Sequence, residues 1–361
     1  MISSCFQGGK VVVFRILLAV ESSILPVGGI PFARILPFGA CPPAKNRLKC
    51  NHTFVLDIIA RKKRGVQIIL QGVVSMPYRI ITDSCCDFPQ PMYEEQNLSV
   101  VNLTVSFRGQ DTNTYTEDWL KDMFNGLRAG EAAQTSAVNP EGWKVAMEPA
   151  LAAGQDVLVL AFSSGLSTTY QSAVIAAQEL KERYPDRKIY VVDTLCASLG
   201  QGLFVWYACK HRDAGMSLEE LTDWCENNKL NLAHWFTVDD LMFLKRGGRV
   251  SATTALVGTM LQIKPVMHVD NDGHLIKVGT ARGRKASINA LINKFAETAL
   301  PGENDTVFIC HGDCMEDAQY VAQKLKNEHG VKEVFIYYVG AVIGSHSGPG
   351  TLALFFLGSQ R

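Results

Sequence analysis

Residues 156–170, DVLVLAFSSGLSTTY, decide the fold of this chain. The apolar run VLVLAF is typical of a buried parallel strand, and the small polar residues after it lead into a run of Ala, Gln and Leu that is typical of a helix. The first backbone N–H groups of such a helix have no partner within it, and the helix dipole is positive there, so this turn is suited to bind an anion. Ser167, Thr168 and Thr169 would add hydroxyl donors to it.

Similar strands and helices flank this stretch. The sequences YRIITD at residues 78–83 and KIYVVDT at 188–194 are short apolar strands that end in polar residues. Between the strands lie amphipathic helical patterns with clear starting signals, such as the capping-box spacing from Ser217 to Glu220. Alternating strands and helices with continuous apolar strands predict a mainly parallel sheet flanked by helices, which we assign to residues 76–231.

The pattern changes in residues 232–361. KPVMHVDNDGHLIKVGT predicts a β-hairpin that turns at Asn271–Asp272–Gly273. The other predicted elements are a helix in ATTALVGTML at 252–261, helices at 284–298 and 316–328, and strands in TVFIC, EVFIYYVG and TLALFFLG. This mixture predicts a second, smaller α/β domain with a mixed or antiparallel sheet.

Residues 1–75 lack the regularity of the rest of the chain. They combine short apolar pieces with scattered Pro and Gly and a basic RKKR at residues 61–64, without a sustained helical or strand period. Arg15 interrupts the first apolar piece, and no small-residue cleavage site follows, so the pattern does not match a signal peptide. We interpret this segment as a poorly organised N-terminal extension, and we favour a mis-annotated start with translation beginning at Met76.

Composition restricts the classes of function. The chain has 35 Lys and Arg against 35 Asp and Glu, and this zero net charge disfavours nucleic acid as a partner. No apolar run approaches the roughly 20 residues of a transmembrane helix. The ten cysteines are spread through a long chain, which favours reduced thiols and a cytoplasmic location. The group CHGDC at residues 310–314 has metal-binding residue types, but it also fits a strand end and a helix cap, so we predict no metal and no cofactor.

Several polar motifs occur in a fixed order along the chain. They are ITDSCCD at Ile81, QTSAVNP at Gln134, SSGLSTTY at Ser163, VVDT at Val191, FLKRGGRVS at Phe243, KP at Lys264, ARGRKA at Ala281, HGD at His311 and VGAVIGSHSGPG at Val339. This ordered set resembles the DegV family of bacterial fatty-acid-binding proteins, and the resemblance extends from Tyr78 to Arg361. SSGLSTTY and IGSHSGPG are its most specific parts.

The resemblance implies a two-domain α/β protein that holds a long-chain fatty acid between its domains and is not itself an enzyme. In some members the protein is the lipid-binding subunit of a fatty acid kinase, in which a separate ATP-binding subunit phosphorylates the acyl carboxylate. The residues that match the family's carboxylate site are Thr135, Ser167, Arg282 and His346, with Ser136, Thr168, Gly344 and Gly348 in support. Transient membrane contact for lipid exchange is compatible with this role.

One position departs from the family pattern. Thr168 stands where the family usually has Gly, and its bulk would restrict the approach of the backbone to a ligand, although its hydroxyl would add a donor. Gly344, Gly348 and Gly350 are retained, which we interpret as a tight loop around His346.

Two alternatives remain open from sequence. Ser167, Asp193 and His346 occur in the order of the α/β-hydrolase triad, but Thr169 stands where the G-x-S-x-G motif has its last Gly. The other alternative is a lipid carrier without a kinase partner. Lys245, Arg246 and Arg249 would suit either a docking rim for a nucleotide-bearing partner or an ordinary solvated turn.

Overall fold

A computed structural model describes residues 4–7, 10–13, 78–251 and 262–361. The strands are β1 (Ser4–Gln7), β2 (Lys10–Val13), β3 (Tyr78–Asp83), β4 (Ser99–Val101), β5 (Thr104–Phe107), β6 (Gln110–Thr112), β7 (Ala133–Ser136), β8 (Asp156–Ala161), β9 (Ile189–Asp193), β10 (Leu232–Thr237), β11 (Ile263–Val269), β12 (Leu275–Arg282), β13 (Thr306–His311), β14 (Glu333–Tyr338) and β15 (Leu352–Leu357). The α-helices are α1 (Gln90–Glu95), α2 (Glu117–Arg128), α3 (Pro140–Ala152), α4 (Thr169–Arg183), α5 (Leu199–Asp213), α6 (Leu218–Asn228), α7 (Met242–Arg246), α8 (Arg284–Thr298), α9 (Met315–His329) and α10 (Ala341–Ser347).

Residues 1–75 and 76–361 are separate units. In the first unit, β1 and β2 pair as antiparallel neighbours. This strand pair was not expected in a poorly organised extension. The other residues of that extension lie outside the described residues. The helix predicted at 252–261 also lies outside them.

The strands from β3 to β9 form two sheets. The larger has the order β4-β3-β8-β9 with every neighbour parallel, as the continuous apolar strands predicted. The smaller is an antiparallel sheet in the order β6-β5-β7. The apolar run LSVVNLTVSF at residues 98–107 divides between the two sheets, because the chain leaves β4 at Asn102 and enters the second sheet as β5.

All described strands from β10 onward form one six-stranded mixed sheet in the order β12-β11-β10-β15-β13-β14. Only β13 and β14 are parallel, and β11 and β12 form the predicted hairpin with Gly273 in the left-handed region at its turn. The α/β class with a parallel sheet followed by a mixed sheet is therefore confirmed. The boundary between residues 231 and 232 stays a prediction, because residues 76–361 form a single unit.

Alternation along β15 explains how the six-stranded sheet is buried on both faces. Leu354 and Phe356 belong to a core that also contains Ile288 from α8 and Val321 from α9. The neighbouring residue Phe355 points to the opposite face and joins the other core, which also contains the strands of the parallel sheet. A strand that is buried on both faces does not alternate apolar and polar residues, and LALFFL in TLALFFLG is accordingly apolar throughout.

The turn after β8 joins the parallel sheet to the hairpin of the mixed sheet. The Asp83 carboxylate accepts a hydrogen bond from Phe162 N at 2.7 Å, and Ser163 Oγ donates to Gly273 O at 2.9 Å. Gly165 packs so closely there that a Cβ atom would lie 2.8 Å from the carbonyl oxygens of Asp272 and Gly273. These obstacles are backbone atoms, so neither can rotate away.

We therefore predict that Gly165→Ala lowers the free energy of unfolding by about 1–3 kcal/mol, as overpacking usually does. Gly279→Ala is the matched control, because a Cβ at that strand position meets nothing closer than Val266 at 3.8 Å. Urea unfolding of both variants measures the difference. Equal stabilities would show that the hairpin turn is not held tightly against residue 165.

Candidate ligand-binding cavity

A cavity of about 410 Å³ lies between the turn after β8 and the six-stranded sheet. Its volume is within the roughly 300–1,000 Å³ of small-molecule sites. The lining is predominantly apolar, and it includes Phe162 and Leu166 from the turn, Phe236 from β10 and Phe355 from β15. One helix, α10, closes a side of it with Val342, Ile343 and His346. The cavity can therefore enclose a flexible apolar molecule with a polar group at one end.

Polar side chains concentrate near α10 and the start of α4. Thr135 Oγ1 and His346 Nε2 are hydrogen-bonded at 2.8 Å, although 211 residues separate them in the sequence. Ser167 Oγ is 2.8 Å from Thr169 Oγ1 and also accepts a hydrogen bond from Thr169 N at 3.2 Å. Thr135, Ser167, Thr168 and His346 all line the cavity. Four of the predicted site residues thus lie on one cavity.

Thr135 reaches the cavity because its segment is a strand. QTSAVNP lies between two helices, but Thr135 and Ser136 are on β7 and pair with β5. Alternation along the strand separates the two side chains. Ser136 is exposed and does not line the cavity.

His346 lies on a helix, and the predicted tight loop around it is wrong. It belongs to the last turn of α10, which ends at Gly348 with φ of 79°. Gly344 lets α10 approach α2, because a Cβ there would lie 2.9 Å from the Phe124 ring. Gly247 packs against the imidazole itself, where a Cβ would lie 2.2 Å from Nδ1. Gly344 and Gly247 therefore act through close packing, and Gly348 acts through its backbone conformation.

The cavity contains a single side chain of fixed charge, Arg249, among the described residues that line it. Its guanidinium donates from Nε and Nη2 to Leu166 O at 3.2 and 3.1 Å, which ties it to the turn after β8. No carboxylate of the described residues lies within ion-pair distance of it. Arg249 is therefore a partly buried cation available to an anionic group in the cavity.

Arg282 does not meet the other predicted residues. It is exposed at the end of β12 and is not among the residues that line the cavity. Its proposed contact with the head group stays a prediction. The sequence indicated Arg249 only as part of a docking rim. Its contact with the backbone of Leu166 places it in the cavity, and this contact is not visible in sequence.

The two histidines of the cavity are neutral at pH 7. Burial and the neighbouring Arg249 lower the pKa of His346 from 6.5 to about 4. Burial also lowers the pKa of His234 well below its usual value; its Nε2 accepts from Ala197 N at 3.2 Å, which leaves Nδ1 to donate to Leu232 O. When His346 carries its proton on Nε2, it donates to Thr135 and leaves the Thr135 hydroxyl hydrogen free for a ligand oxygen.

Thr168 fits its position without strain. Its φ is −78°, which any L-residue adopts, so the backbone does not require the Gly that the family usually has there. The side chain is exposed at the edge of the cavity.

The hydrolase residues are not assembled into a triad. Asp193 Oδ1 accepts from the backbone N–H groups of Ser164 and Leu195 at 3.2 and 3.1 Å. Ser167 is bonded to Thr169 and His346 to Thr135. A nucleophilic serine needs a histidine within hydrogen-bond reach, and the described contacts do not supply one. In CHGDC, His311 lies at the end of β13 and its Nδ1 accepts a hydrogen bond from the backbone N–H of Cys314, the residue before α9.

The family model described as "Uncharacterised protein, DegV family" matches residues 77–359. The chain belongs to the DegV family. It is 42% identical over 284 residues to a DegV domain-containing protein of Clostridium perfringens, which covers 78% of this chain and 98% of that protein. It is 30% identical over 285 residues to the protein DegV of Bacillus subtilis, covering 77% and 98%.

Solved structures of DegV proteins share the fold. A DegV family protein from Thermus thermophilus, described as fatty acid binding, superposes with a TM-score of 0.70 at 32% identity, covering 77% of this chain and 98% of that one. A protein from Thermotoga maritima, described as revealing a fatty acid binding function, gives a TM-score of 0.67 at 30% identity, covering 78% and 98%. None of the helices in the described part of this DegV chain is long and apolar enough to cross a bilayer.

The shifted pKa of His346 predicts how stability depends on pH. Because the folded protein resists protonation of this ring, it binds fewer protons than the unfolded chain between about pH 4 and 6.5, so acidification through that window lowers the free energy of unfolding. His346→Gln should remove up to roughly 3 kcal/mol of that decrease, while His311, whose pKa is lowered to about 4 by burial, retains its own share. Unfolding of lipid-free protein at several pH values measures both. Identical pH profiles for the variant and the wild type would contradict the neutral, buried state of His346.

Proposed function

We propose that this protein binds a long-chain fatty acid, with its acyl chain in the cavity and its carboxylate at Thr135, Ser167, His346 and Arg249. The observation that carries this proposal is the distribution of charge in the cavity: an apolar lining with one fixed cation, hydroxyl donors beside it and no carboxylate among the described lining residues. A buried carboxylate needs hydrogen-bond donors and a compensating positive charge. Relatives at 30–32% identity that are described as fatty-acid-binding support the same ligand class.

The acyl chain supplies most of the affinity, and the head group supplies the orientation. At roughly 0.8 kcal/mol per buried methylene, a chain of about 14 methylenes gains on the order of 11 kcal/mol before ordering costs. A hydrogen bond to a charged group adds about 1.5–3 kcal/mol. The head group therefore decides which end of the molecule reaches α10.

We further propose that the protein presents the carboxylate to a separate ATP-dependent kinase subunit in the cytoplasm, and that it has no enzymatic activity of its own. Thr135, His346 and Arg249 also line an outer cleft of about 340 Å³, together with Glu131 and Arg246. This arrangement supports approach of a phosphoryl donor to the head group from the side away from the acyl chain. Phosphoryl transfer depends mainly on positioning and charge stabilisation, which a partner with ATP and metal would complete.

The Thr135 hydroxyl tests the head-group site. Thr135→Val keeps the shape of the side chain and removes its donor, and we expect the Kd for oleate to rise by about 10- to 100-fold. Thr135→Ser should restore most of the affinity, and the double variant Thr135→Ala, Ser167→Ala should lose more than either single change. Titration of delipidated protein with oleate measures these values. Unchanged affinity in the double variant would contradict the site.

A matched pair of arginine variants separates the two candidate cations. Arg249→Met should raise the Kd for oleate at least about tenfold, since it removes the charge that lies in the cavity. Arg282→Met should change it less than about twofold, because a solvent-exposed charge outside the cavity is strongly screened. The opposite order would assign the head group to Arg282. Circular dichroism confirms that each variant is folded.

The kinase role is tested with an ATP-binding fatty acid kinase subunit, ATP, Mg²⁺ and hydroxylamine, which traps acyl phosphate as a hydroxamate. We expect product only when this protein is present with oleate. Arg246→Glu, in the outer cleft and 4.4 Å from the Phe243 ring, should reduce the yield while leaving bound oleate unchanged. Full oleate binding without any hydroxamate would support a carrier that has no kinase partner.

A further inference from the structure

A second cleft, of about 380 Å³, shares no lining residue with the acyl cavity. It is bounded by the end of the ITDSCCD motif, by α1, by the segment before α2 and by the end of β14. Its lining residues are Ser84, Asp87, Phe88, Pro89, Gln90, Tyr93, Asn102, Asn113, Thr114, Tyr115, Thr116, Leu120, Tyr337 and Gly340. The proposed fatty acid function does not use this cleft.

Asp87 is the unusual residue of the cleft. It is only 4% exposed and adopts a left-handed backbone with φ of 55°. Its Oδ2 accepts a hydrogen bond from Ser198 Oγ at 2.5 Å. The Gly340 backbone lies against its Oδ1, where a Cβ would be 2.1 Å away, but no described donor makes a hydrogen bond of good geometry to this oxygen. A buried carboxylate oxygen without a donor is costly, so it indicates a missing partner.

The chemistry of the lining indicates the charge of that partner. Asp87 is the single carboxyl group among the described lining residues, and no Lys, Arg or His accompanies it. Burial raises the pKa of Asp87 to about 7, while Ser198 and the nearby Gly340 N–H lower it in part. A bound cation would provide the compensating charge that the protein lacks here.

Aromatic rings line the same cleft as Asp87 and favour an organic cation over a metal ion. Phe88, Tyr93, Tyr115 and Tyr337 all line the cleft, and the centroids of Phe88 and Tyr93 are 5.5 Å apart. Ring faces attract ammonium groups, whereas a divalent metal ion would need several oxygen ligands of which at least some are charged.

We propose that this cleft binds a small organic ammonium ion, which donates an N–H hydrogen bond to Asp87 Oδ1 and packs its charge and carbon atoms against the aromatic rings. Ser198, which donates to Asp87, lines the acyl cavity, but the cleft itself shares no lining residue with that cavity. Binding of butylammonium and binding of oleate are measured separately, so the failure of this proposal and the failure of the fatty acid proposal are distinguishable.

Butylammonium chloride and butan-1-ol are the test ligands, because they have nearly the same shape and differ in charge. We expect titration calorimetry at constant ionic strength to give butylammonium a Kd at least about tenfold lower than that of butan-1-ol. Sodium chloride at the same concentration should not compete. Equal affinities, no binding of butylammonium at 10 mM, or displacement by sodium would each overturn the proposal.

Variants locate the binding. Asp87→Asn should raise the Kd for butylammonium at least about tenfold and leave that for butan-1-ol nearly unchanged. Asp118→Asn removes an exposed charge of α2 that does not line the cleft, and it should have no effect. Tyr337→Leu keeps Asp87 intact and should raise the Kd about two- to fivefold, which keeps the proposal testable if Asp87→Asn does not fold. Wild-type affinity in a folded Asp87→Asn protein or in Tyr337→Leu would contradict the site.

Discussion

The site depends on how the turn after β8 is held. Asp83 binds it from the neighbouring strand through Phe162 N, Ser163 N donates to Cys196 O on the next loop, and Ser163 Oγ donates to Gly273 O on the hairpin of the mixed sheet. A strand end fixed from three directions presents Leu166, Ser167 and the start of α4 at one defined place. Arg249 then uses Leu166 O as its anchor, so the position of the only fixed charge of the described cavity lining also follows from this turn.

The division of charge supports the proposal that this apolar cavity selects an acid. Burial keeps His234 and His346 neutral, so neither pays the cost of an uncompensated buried cation when the cavity is empty. Arg249 cannot be neutralised and satisfies its N–H groups on backbone carbonyls of Leu166 and Gly247 instead. An incoming carboxylate finds a cation that lacks a carboxylate partner among the described residues, which favours an acid over an alcohol or an amide of the same chain length.

The sequence was sufficient for the features that depend on local periodicity. The continuous apolar strands, the capping box at Ser217 and the turn at Asn271–Asp272–Gly273 all correspond to the observed elements. Thr135, Ser167 and His346 were found through the family resemblance, and the structure places them on one cavity.

Other features depend on contacts between distant segments and were therefore missed. The short strand β7 exists because it pairs with β5, and its own residues carry no strong β signal. The glycines around His346 suggested a loop, but Gly344 is there to let α10 pack on Phe124. Arg249 was overlooked because its anchor is a backbone carbonyl 83 residues earlier. The sequence reveals such a site residue only when the residues next to it in the chain form a recognisable pattern.

The most direct measurement is native mass spectrometry of the protein purified from a bacterial host, followed by organic extraction and identification of the released lipid. We expect one long-chain fatty acid per chain, which is released when the organic solvent unfolds the protein. Protein that is empty after purification, and still empty after incubation with mixed fatty acids, would contradict it.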